Sequence, residues 1–376
     1  MTGEYTGKCI VRNFQTKRNM LYNLKSIRDT EVINQMVLLR ADLDVPVKDN
    51  QIEDDSRLNA WYPTLQYLLE NNAKVIIVGH LGRPKEQFTL QSQEFKADPK
   101  FSLNPVVNWL AGKLNVQPTE EKIGDFNGWK LSDNVFMLEN IRFYEEEEKN
   151  DPQFAQKLAS LAQIFVNDAF ATAHRAHAST EGVAHFIPSF AGLRVLQEVE
   201  VLSKVLENPE RPLGIIIGGA KLETKLPLVE KMHNFADYVC VGGTIMGNEE
   251  MLLKVANQKS EHKSILVMAD AVESKMDATL VSIENFLQVL QDAKTIVWNG
   301  PMGQIEVEEW QKGTLALAEG ILKIPAYTVI GGGDTLGFLK QKNLLSRFSF
   351  ASVGGGAMLE FLAGERLPGL VALEQK

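Results

Sequence analysis

Short runs of aliphatic and β-branched residues alternate along the chain with stretches of helical period, which is the pattern of parallel βαβ units. In the first half the runs predict strands at about residues 37–41, 75–79, 135–138 and 164–167. Between the first two, LNAWYPTLQYLLENN (58–72) puts Leu58, Trp61, Leu65, Leu68 and Leu69 on one helical face. Residues 84–105 are polar, carry proline at both ends and hold no period, so a surface loop is expected there. LRVLQEVEVLSKVLENPERP (193–212) reads as an amphipathic helix stopped at Asn208-Pro209. No Gly/Ser linker separates the halves, so this helix is the expected inter-domain connector, and a rigid connector implies hinge closure. Alternation resumes at Leu213 and runs to about Gly356, with no short-period repeat and no low-complexity segment.

The two halves differ in how their apolar runs end. In the first they end in charged residues: VLLRADLD (37–44), VIIVGHLGR (75–83), VFMLENIR (135–142) and FVNDAFATAHRAH (165–177). In the second they end in glycine: IIIGGAK (215–221), YVCVGG (238–243), IVWNGPMG (296–303), VIGGGD (329–334) and ASVGGGA (351–357). Ligands of doubly wound sheets bind beyond the carboxyl ends of the strands. Cationic strand ends suit a small, highly charged anion, while glycine turns that open helices let backbone N–H groups cradle phosphates. Two sites are expected, one for a small anion and one for a nucleotide.

A length of 376 residues allows two domains, each with its own core. The net charge of −9 argues against nonspecific nucleic-acid binding and against adhesion to anionic membrane, so positive charge must be gathered locally. Cys9 and Cys240 make no disulfide framework and no metal-ligand spacing, which fits a reducing compartment. No apolar run approaches the roughly 20 residues that span a bilayer. Residues 1–20 are basic, with Glu4 the only acid and no apolar core, and read as a tail rather than a secretory signal.

GGGD at 331–334 lies between a strand pattern and a helix pattern, and Asp334 there is poised to hold Mg²⁺ near phosphates. Alone it is equally a tight turn with an N-capping Asp. The second GGG unit at 354–356, WNGP (298–301) and GGAK (218–221) favour phosphate binding, with Lys221 and Lys225 four apart on one helical face. There is no GxxxxGK[ST] and no GxGxxG opening a βαβ unit. Arg57, His80, Arg83, Arg142 and Arg175 each fall near a strand end, where they would repel one another without an anion between them. Asp42 and Asp44 share a strand face. His174 and His177 bracket Arg175 and are assigned no catalytic role, and EEEEK (145–149) is expected to be solvated.

From Leu24 to Leu373 the chain resembles the phosphoglycerate kinases. LLRADLDVP with DDSRL, GHLGRPK, FMLENIRFYEEEEKND, NDAFATAHRAHAS, GGAKLETK, WNGPMG with Glu306, GGGDT and GGGAMLEFL follow the order and spacing of that family. The resemblance implies an α/β fold of two doubly wound parallel-sheet, Rossmann-like domains. Residues 1–192 would form the phosphoglycerate-binding domain, with 1–20 as an extension. Residues 193–207 would be the inter-domain helix, 208–356 the nucleotide-binding domain, and 357–376 a segment returning to the first. It implies reversible phosphoryl transfer between 1,3-bisphosphoglycerate with ADP and 3-phosphoglycerate with MgATP, in glycolysis and gluconeogenesis. Such transfer needs positioning and charge neutralisation rather than a covalent intermediate.

Carried over by motif, Asp42, Asp44, His80, Arg83, Arg142 and Arg175 would hold the phosphoglycerate. Arg57 and Lys221 would face the transferring group from its two sides. Lys225, Gly219, Asn299, Gly332, Gly333 and Thr335 would contact the nucleotide, Glu306 its ribose, and Asp334 the Mg²⁺. The family also implies a cytoplasmic monomer without nucleic-acid or membrane partners. Four departures stand against the pattern: Asp44 where the family has Asn, GGTIMGNEEML (242–252), a shortened tract at AVESKMDATLVSIENF (271–286) lacking the adenine-side W-M-G-L-D, and the N-terminal extension. They set an active kinase with altered nucleotide preference against a feeble homologue kept as a binding or regulatory protein. A dehydrogenase is disfavoured by the missing GxGxxG.

Overall fold

The computed structural model describes residues 22–375 apart from 86, 91–97, 220–221, 247–249, 251–254, 256 and 258–263, with backbone only at 222–227 and 245. Residues 1–20, Lys221 and most of 247–263 therefore lie outside the described residues.

The first half supplies β1 (Met36–Arg40), β2 (Val47–Lys48), β3 (Gln51–Ile52), β4 (Lys74–Val78), β5 (Thr119–Ile123), β6 (Phe126–Lys130), β7 (Val135–Leu138), β8 (Ile164–Asn167) and β9 (Ser189–Ala191). Seven of these form one sheet in the order β5-β6-β7-β4-β1-β8-β9, and β2 pairs with β3 apart from it. The second half gives β10 (Leu213–Ile217), β11 (Tyr238–Val241), β12 (Ile265–Met268), β13 (Thr295–Asn299), β14 (Tyr327–Gly331) and β15 (Phe350–Ser352), ordered β12-β11-β10-β13-β14-β15. Both sheets are doubly wound. The chain runs from β1 outward through β4 and then returns to β8 on the other side; likewise it runs β10, β11, β12 and returns to β13. Each sheet thus has a switch point, between β1 and β8 and between β10 and β13, where a crevice opens beyond the carboxyl ends.

The second sheet is parallel throughout. The first is mixed, because β5 and β6 form an antiparallel hairpin that adds to β7. The pattern of the sequence hides this hairpin: TEEKI is an exposed edge strand with no apolar face, and Gly128 in FNGWK packs directly on the Met137 carbonyl. The expected loop over 84–105 lies partly outside the described residues, at 86 and 91–97, and its end is helical. Pro99–Phe101 is a helical turn and α2 begins at Asn104, because Pro105 opens a helix rather than closing a loop.

The helices are α1 (Ser56–Glu70), α2 (Asn104–Leu114), α3 (Glu145–Glu148), α4 (Pro152–Ala159), α5 (Leu193–Glu207), α6 (Leu222–His233), α7 (Leu280–Leu290), α8 (Lys312–Ile321), α9 (Gly333–Gln341), α10 (Gly356–Leu362) and α11 (Pro368–Val371). α1 buries Leu58, Trp61, Leu65 and Leu68 against Val37, Leu39, Val75 and Ile77, while Leu69 stays half-buried at the edge of the stripe. Leu38, Ile76 and Val78 face the opposite layer, so β1 is covered on both sides. Val195, Val199, Leu202 and Val205 of α5 belong to one apolar cluster with Phe170, Phe165 of the first half and Leu213, Ile215 of the second. Each such side chain contributes about 1.5–3 kcal/mol on burial, so α5 is a shared core element and not a tether. The chain end lies on the first sheet's side: Leu24 bridges Glu374, and the Gly369 amide donates to the Ala173 carbonyl at 2.9 Å.

The N-cap of α5 is Gly192, which has no side chain to cap it. Asp168, just past β8, does so instead: its Oδ1 accepts from the Arg194 amide at 2.8 Å and the Val195 amide at 3.0 Å. A Cβ on Gly192 would stand 2.3 Å from that oxygen. Burial pushes the Asp168 carboxyl up to about 7, against the pull of the Thr64 hydroxyl, the two amides and Arg194. A folded value above the ordinary 3.8 gives stability that is present in acid and is lost as pH rises towards 7. Urea unfolding across that range should therefore show wild type losing stability relative to Asp168→Asn; a constant difference between the two would be the contrary result.

Candidate active site

The anion-facing wall is built at the first switch point. β1 ends in Arg40, and the following residues alternate so that Asp42 is buried and Asp44 half-buried on the same side. Arg57, in the first turn of α1, meets both: its Nη1 donates to the Asp44 carbonyl at 3.1 Å and lies 3.6 Å from Asp42 Oδ1 and 3.9 Å from Asp44 Oδ2. The Asp42 carboxylate raises the Arg57 value above its ordinary one. Burial raises Asp42 in turn, with Arg57 opposing it. Neither Asp42 oxygen accepts a well-formed hydrogen bond, although the Asp44 amide is close enough to favour the carboxylate.

His80 is buried beside Arg40, whose Nη2 is 3.1 Å from Nδ1. A guanidinium only donates, so Nδ1 accepts and the proton of the neutral ring sits on Nε2. Burial, then Arg40, Arg142, Arg175 and Arg57, keep His80 well below its usual range. Arg142 is also buried; Nη1 donates to the Gly82 carbonyl at 2.9 Å, Nε lies 3.4 Å from Glu148, and Nη2 has no partner. Burial, then Arg175 and Arg40, lower Arg142 to about 10. Arg175 Nε donates to His174 Nε2 at 3.2 Å. A set of mutually repelling cations with an orphaned donor fits an anion by its charge and its unmet hydrogen bonding.

The second wall stands at the other switch point. Gly218 and Gly300 cross backbone to backbone, a Cβ on Gly300 falling 2.3 Å from the Gly218 carbonyl oxygen, so these glycines serve packing. Gly332 holds φ 96° ahead of α9. By contrast Gly333, Gly355 and Gly356 face open space, Gly333 with only Arg57 near and Gly356 with only His174. They leave helix N-termini bare towards the first wall. Asp334 is exposed in the first turn of α9, and the hydroxyl of buried Thr335 has no partner. One exposed carboxylate beside bare amides fits Mg²⁺ held largely through phosphates; among the described residues no group of three or more His, Cys, Asp or Glu forms a protein cage.

Both walls line one cleft of about 510 Å³, which brings together Asp44, Arg57, His80, Arg175, Gly219, Asn299, Gly332, Gly333, Asp334 and Thr335. Asp42 and Arg142 lie behind its surface, buried. Glu306 borders an adjoining cavity of about 1020 Å³ that shares Arg57, Gly333 and Asp334. Arg83 is exposed and away from the cleft lining. Lys221 lies outside the described residues, as does the side chain of Lys225 in α6. Two residues were not among those expected. Arg40 was signalled by a charge inside an apolar run, and it bonds Ser179 and the Ala41 carbonyl besides His80. The acidic run is not wholly solvated: Glu147 is buried and accepts from the Ser179 amide at 2.8 Å and hydroxyl at 2.6 Å, beneath Arg40.

A cationic wall facing bare helix N-termini across a two-sheet cleft defines a two-lobed phosphotransferase. The family profile described as phosphoglycerate kinase matches residues 27–265 and 248–365. The phosphoglycerate kinase of Pelotomaculum thermopropionicum is 37% identical over 94% of this chain and 99% of its own length. That of Pseudothermotoga lettingae is 39% identical over 93% and 98%. Among solved structures, phosphoglycerate kinase from Coxiella burnetii superposes with a TM-score of 0.75 at 34% identity, covering 93% of this chain and 98% of that one. The Pyrococcus horikoshii enzyme gives 0.76 at 30% identity over the same shares. The chain belongs to the phosphoglycerate kinase family.

Asp44 is held in place: Oδ1 accepts from the Gly82 amide at 2.8 Å, and Oδ2 turns towards Arg57 and His80. An Asn could keep the first bond through Oδ1 and would remove one negative charge from the cleft lining. Asp44→Asn should therefore bind 3-phosphoglycerate several-fold more tightly in a calorimetric titration, and equal or weaker binding would refute the like-charge account.

Proposed function

We propose that this chain catalyses reversible phosphoryl transfer between 1,3-bisphosphoglycerate with ADP and 3-phosphoglycerate with MgATP. The observation that carries the reading is Arg57, which pairs with the carboxylates of the anion wall and lies beside Gly333 at the N-terminus of α9 on the nucleotide wall. A cation placed between both ligands can neutralise charge on a phosphoryl passing between them.

In this reading the buried Arg142 and the cleft-facing Arg175 and His80 hold the phosphoglycerate, with Asp42 and Asp44 fixing Arg57 between them. Arg83 and Lys225 supply further contacts to the two substrates, and Lys221 reaches the transferring group from the nucleotide side. Gly219, Asn299, Gly332, Gly333 and Thr335 border the nucleotide phosphates, and Glu306 meets the ribose. Asp334 would hold Mg²⁺, which supplies charge neutralisation on the phosphates when bound. The two bodies are residues 1–192 with the returning 357–376, and 208–356, hinged on α5. Family membership supports a monomer acting in the cytoplasm.

The decisive experiment is a coupled assay of 3-phosphoglycerate-dependent transfer, run with MgATP and MgGTP in parallel on wild type and Arg57→Ala. Turnover in wild type is expected, with a loss of about 10²-fold or more in the folded variant. Undiminished turnover would remove Arg57 from the mechanism. Asp44 favours one other reading, a non-catalytic binding protein, which would give 3-phosphoglycerate binding without transfer.

A further inference from the structure

Lys340 sits on the last turn of α9, at the far end of that helix from the glycines that border the cleft. Its Nζ reaches across to the other half of the chain, donating to Asp54 Oδ1 at 2.6 Å, Asp55 Oδ1 at 3.1 Å and Ser56 Oγ at 3.1 Å. All three acceptors stand immediately before Arg57.

The acceptors are organised from within their own half. Asp54 Oδ1 also accepts from the Ser56 amide at 3.0 Å and hydroxyl at 2.6 Å, and so caps the start of α1. Asp55 Oδ2 faces the Trp109 indole N–H of α2 at 3.3 Å. Burial works to raise both carboxyls, yet the bonds from Lys340 and from Ser56 or Asn59 hold them below their ordinary values. Lys340 is thus the one cation from the second half in a pre-arranged acidic seat among the described residues.

α9 meets the start of α1 twice. At its N-terminus, the Arg57 guanidinium lies against Gly333, 3.6 Å from where a Cβ would stand. About two turns, or roughly 10 Å, further along the same helix comes Lys340. One contact allows α1 to pivot on α9; two, at opposite ends, fix its orientation and with it the direction of Arg57.

We propose that Lys340 is a positioning residue for phosphoryl transfer, clipping the Asp54-Asp55-Ser56 turn to α9 so that Arg57 is held at the nucleotide wall when the two halves are closed. It acts through Arg57 and touches neither substrate. The inference rests on the kinase reading above. An exposed ion pair is worth little to folding, but a closure equilibrium near balance responds to a small bias.

The test compares wild type, Lys340→Met and Lys340→Arg by steady-state kinetics and by small-angle X-ray scattering with 3-phosphoglycerate and MgADP bound. Lys340→Met should lower kcat about three- to tenfold with KM for both substrates nearly unchanged. It should enlarge the radius of gyration of the ternary complex and flatten the decline of kcat with added salt. Lys340→Arg should restore most of the rate. A raised KM for nucleotide at unchanged kcat would make Lys340 a binding group and overturn the proposal. So would an unchanged rate and scattering profile, or a loss of rate that Arg fails to rescue. If wild type itself shows no transfer, the kinase reading fails, and the scattering difference alone decides whether the clip sets closure.

Discussion

Arg40, Arg142 and Arg175 converge at one sheet edge, and their mutual repulsion is the constraint the first half is organised around. Charges of one sign brought out of water must be balanced or left exposed to a ligand. The protein balances them in part. Glu147, buried and bonded twice to Ser179, lies under Arg40, and Glu148 meets Arg142. Asp42 and Asp44 pair with Arg57 and also act on Arg40 from a greater distance. The compensation stops short, since Arg142 keeps a nitrogen without a partner. A ligand of high negative charge density is what would complete the set, and the proposed phosphoglycerate has that character.

That wall has use only if it meets the nucleotide wall, and the shared core makes the meeting reproducible. α5 packs its apolar face into a cluster common to both halves, while Arg194 donates to the Ala351 carbonyl at 2.6 Å and Glu198 accepts from the Val353 amide at 2.9 Å. These bonds fix the helix to the turn that carries Gly354, Gly355 and Gly356. Asp168, just past β8, holds the N-terminal end of the same helix. The connector is therefore anchored by polar groups over its first two turns and along its length by apolar ones, which ties it to both halves of the chain.

Much of this was legible in the sequence, because fully buried parallel strands must be apolar and the residues beyond them are free to carry chemistry. The four first-half strands fall within a residue or so of their expected places, and α5 spans the residues expected for the connector. What stayed hidden has common physical causes. The β5–β6 hairpin buries too little on its outer strand to leave a period. Glu147 looks like its neighbours in EEEEK, and only the fold shows that one of four glutamates turns inward to Arg40 and Ser179. The glycines posed a related ambiguity. Sequence cannot separate Gly300, which exists because a carbonyl presses on it, from Gly355, which faces open space; the former is packing and the latter borders the cleft.

The histidines bear on how the charge is moved. Burial and the neighbouring arginines lower His174 to about 4 and His177 to about 3, and His80 is also held far down. All three are neutral near pH 7, so none supplies a proton there as an imidazolium. His80 carries an Nε2–H fixed by its bond to Arg40, a neutral donor that adds nothing to the repulsion among the guanidiniums. Transfer in this cleft therefore depends on where fixed positive charge stands relative to the phosphoryl group, with no titrating acid or base among these rings. Under that condition an error of position is an error of rate, and the Asp42 and Asp44 carboxylates beside Arg57 bear on that position.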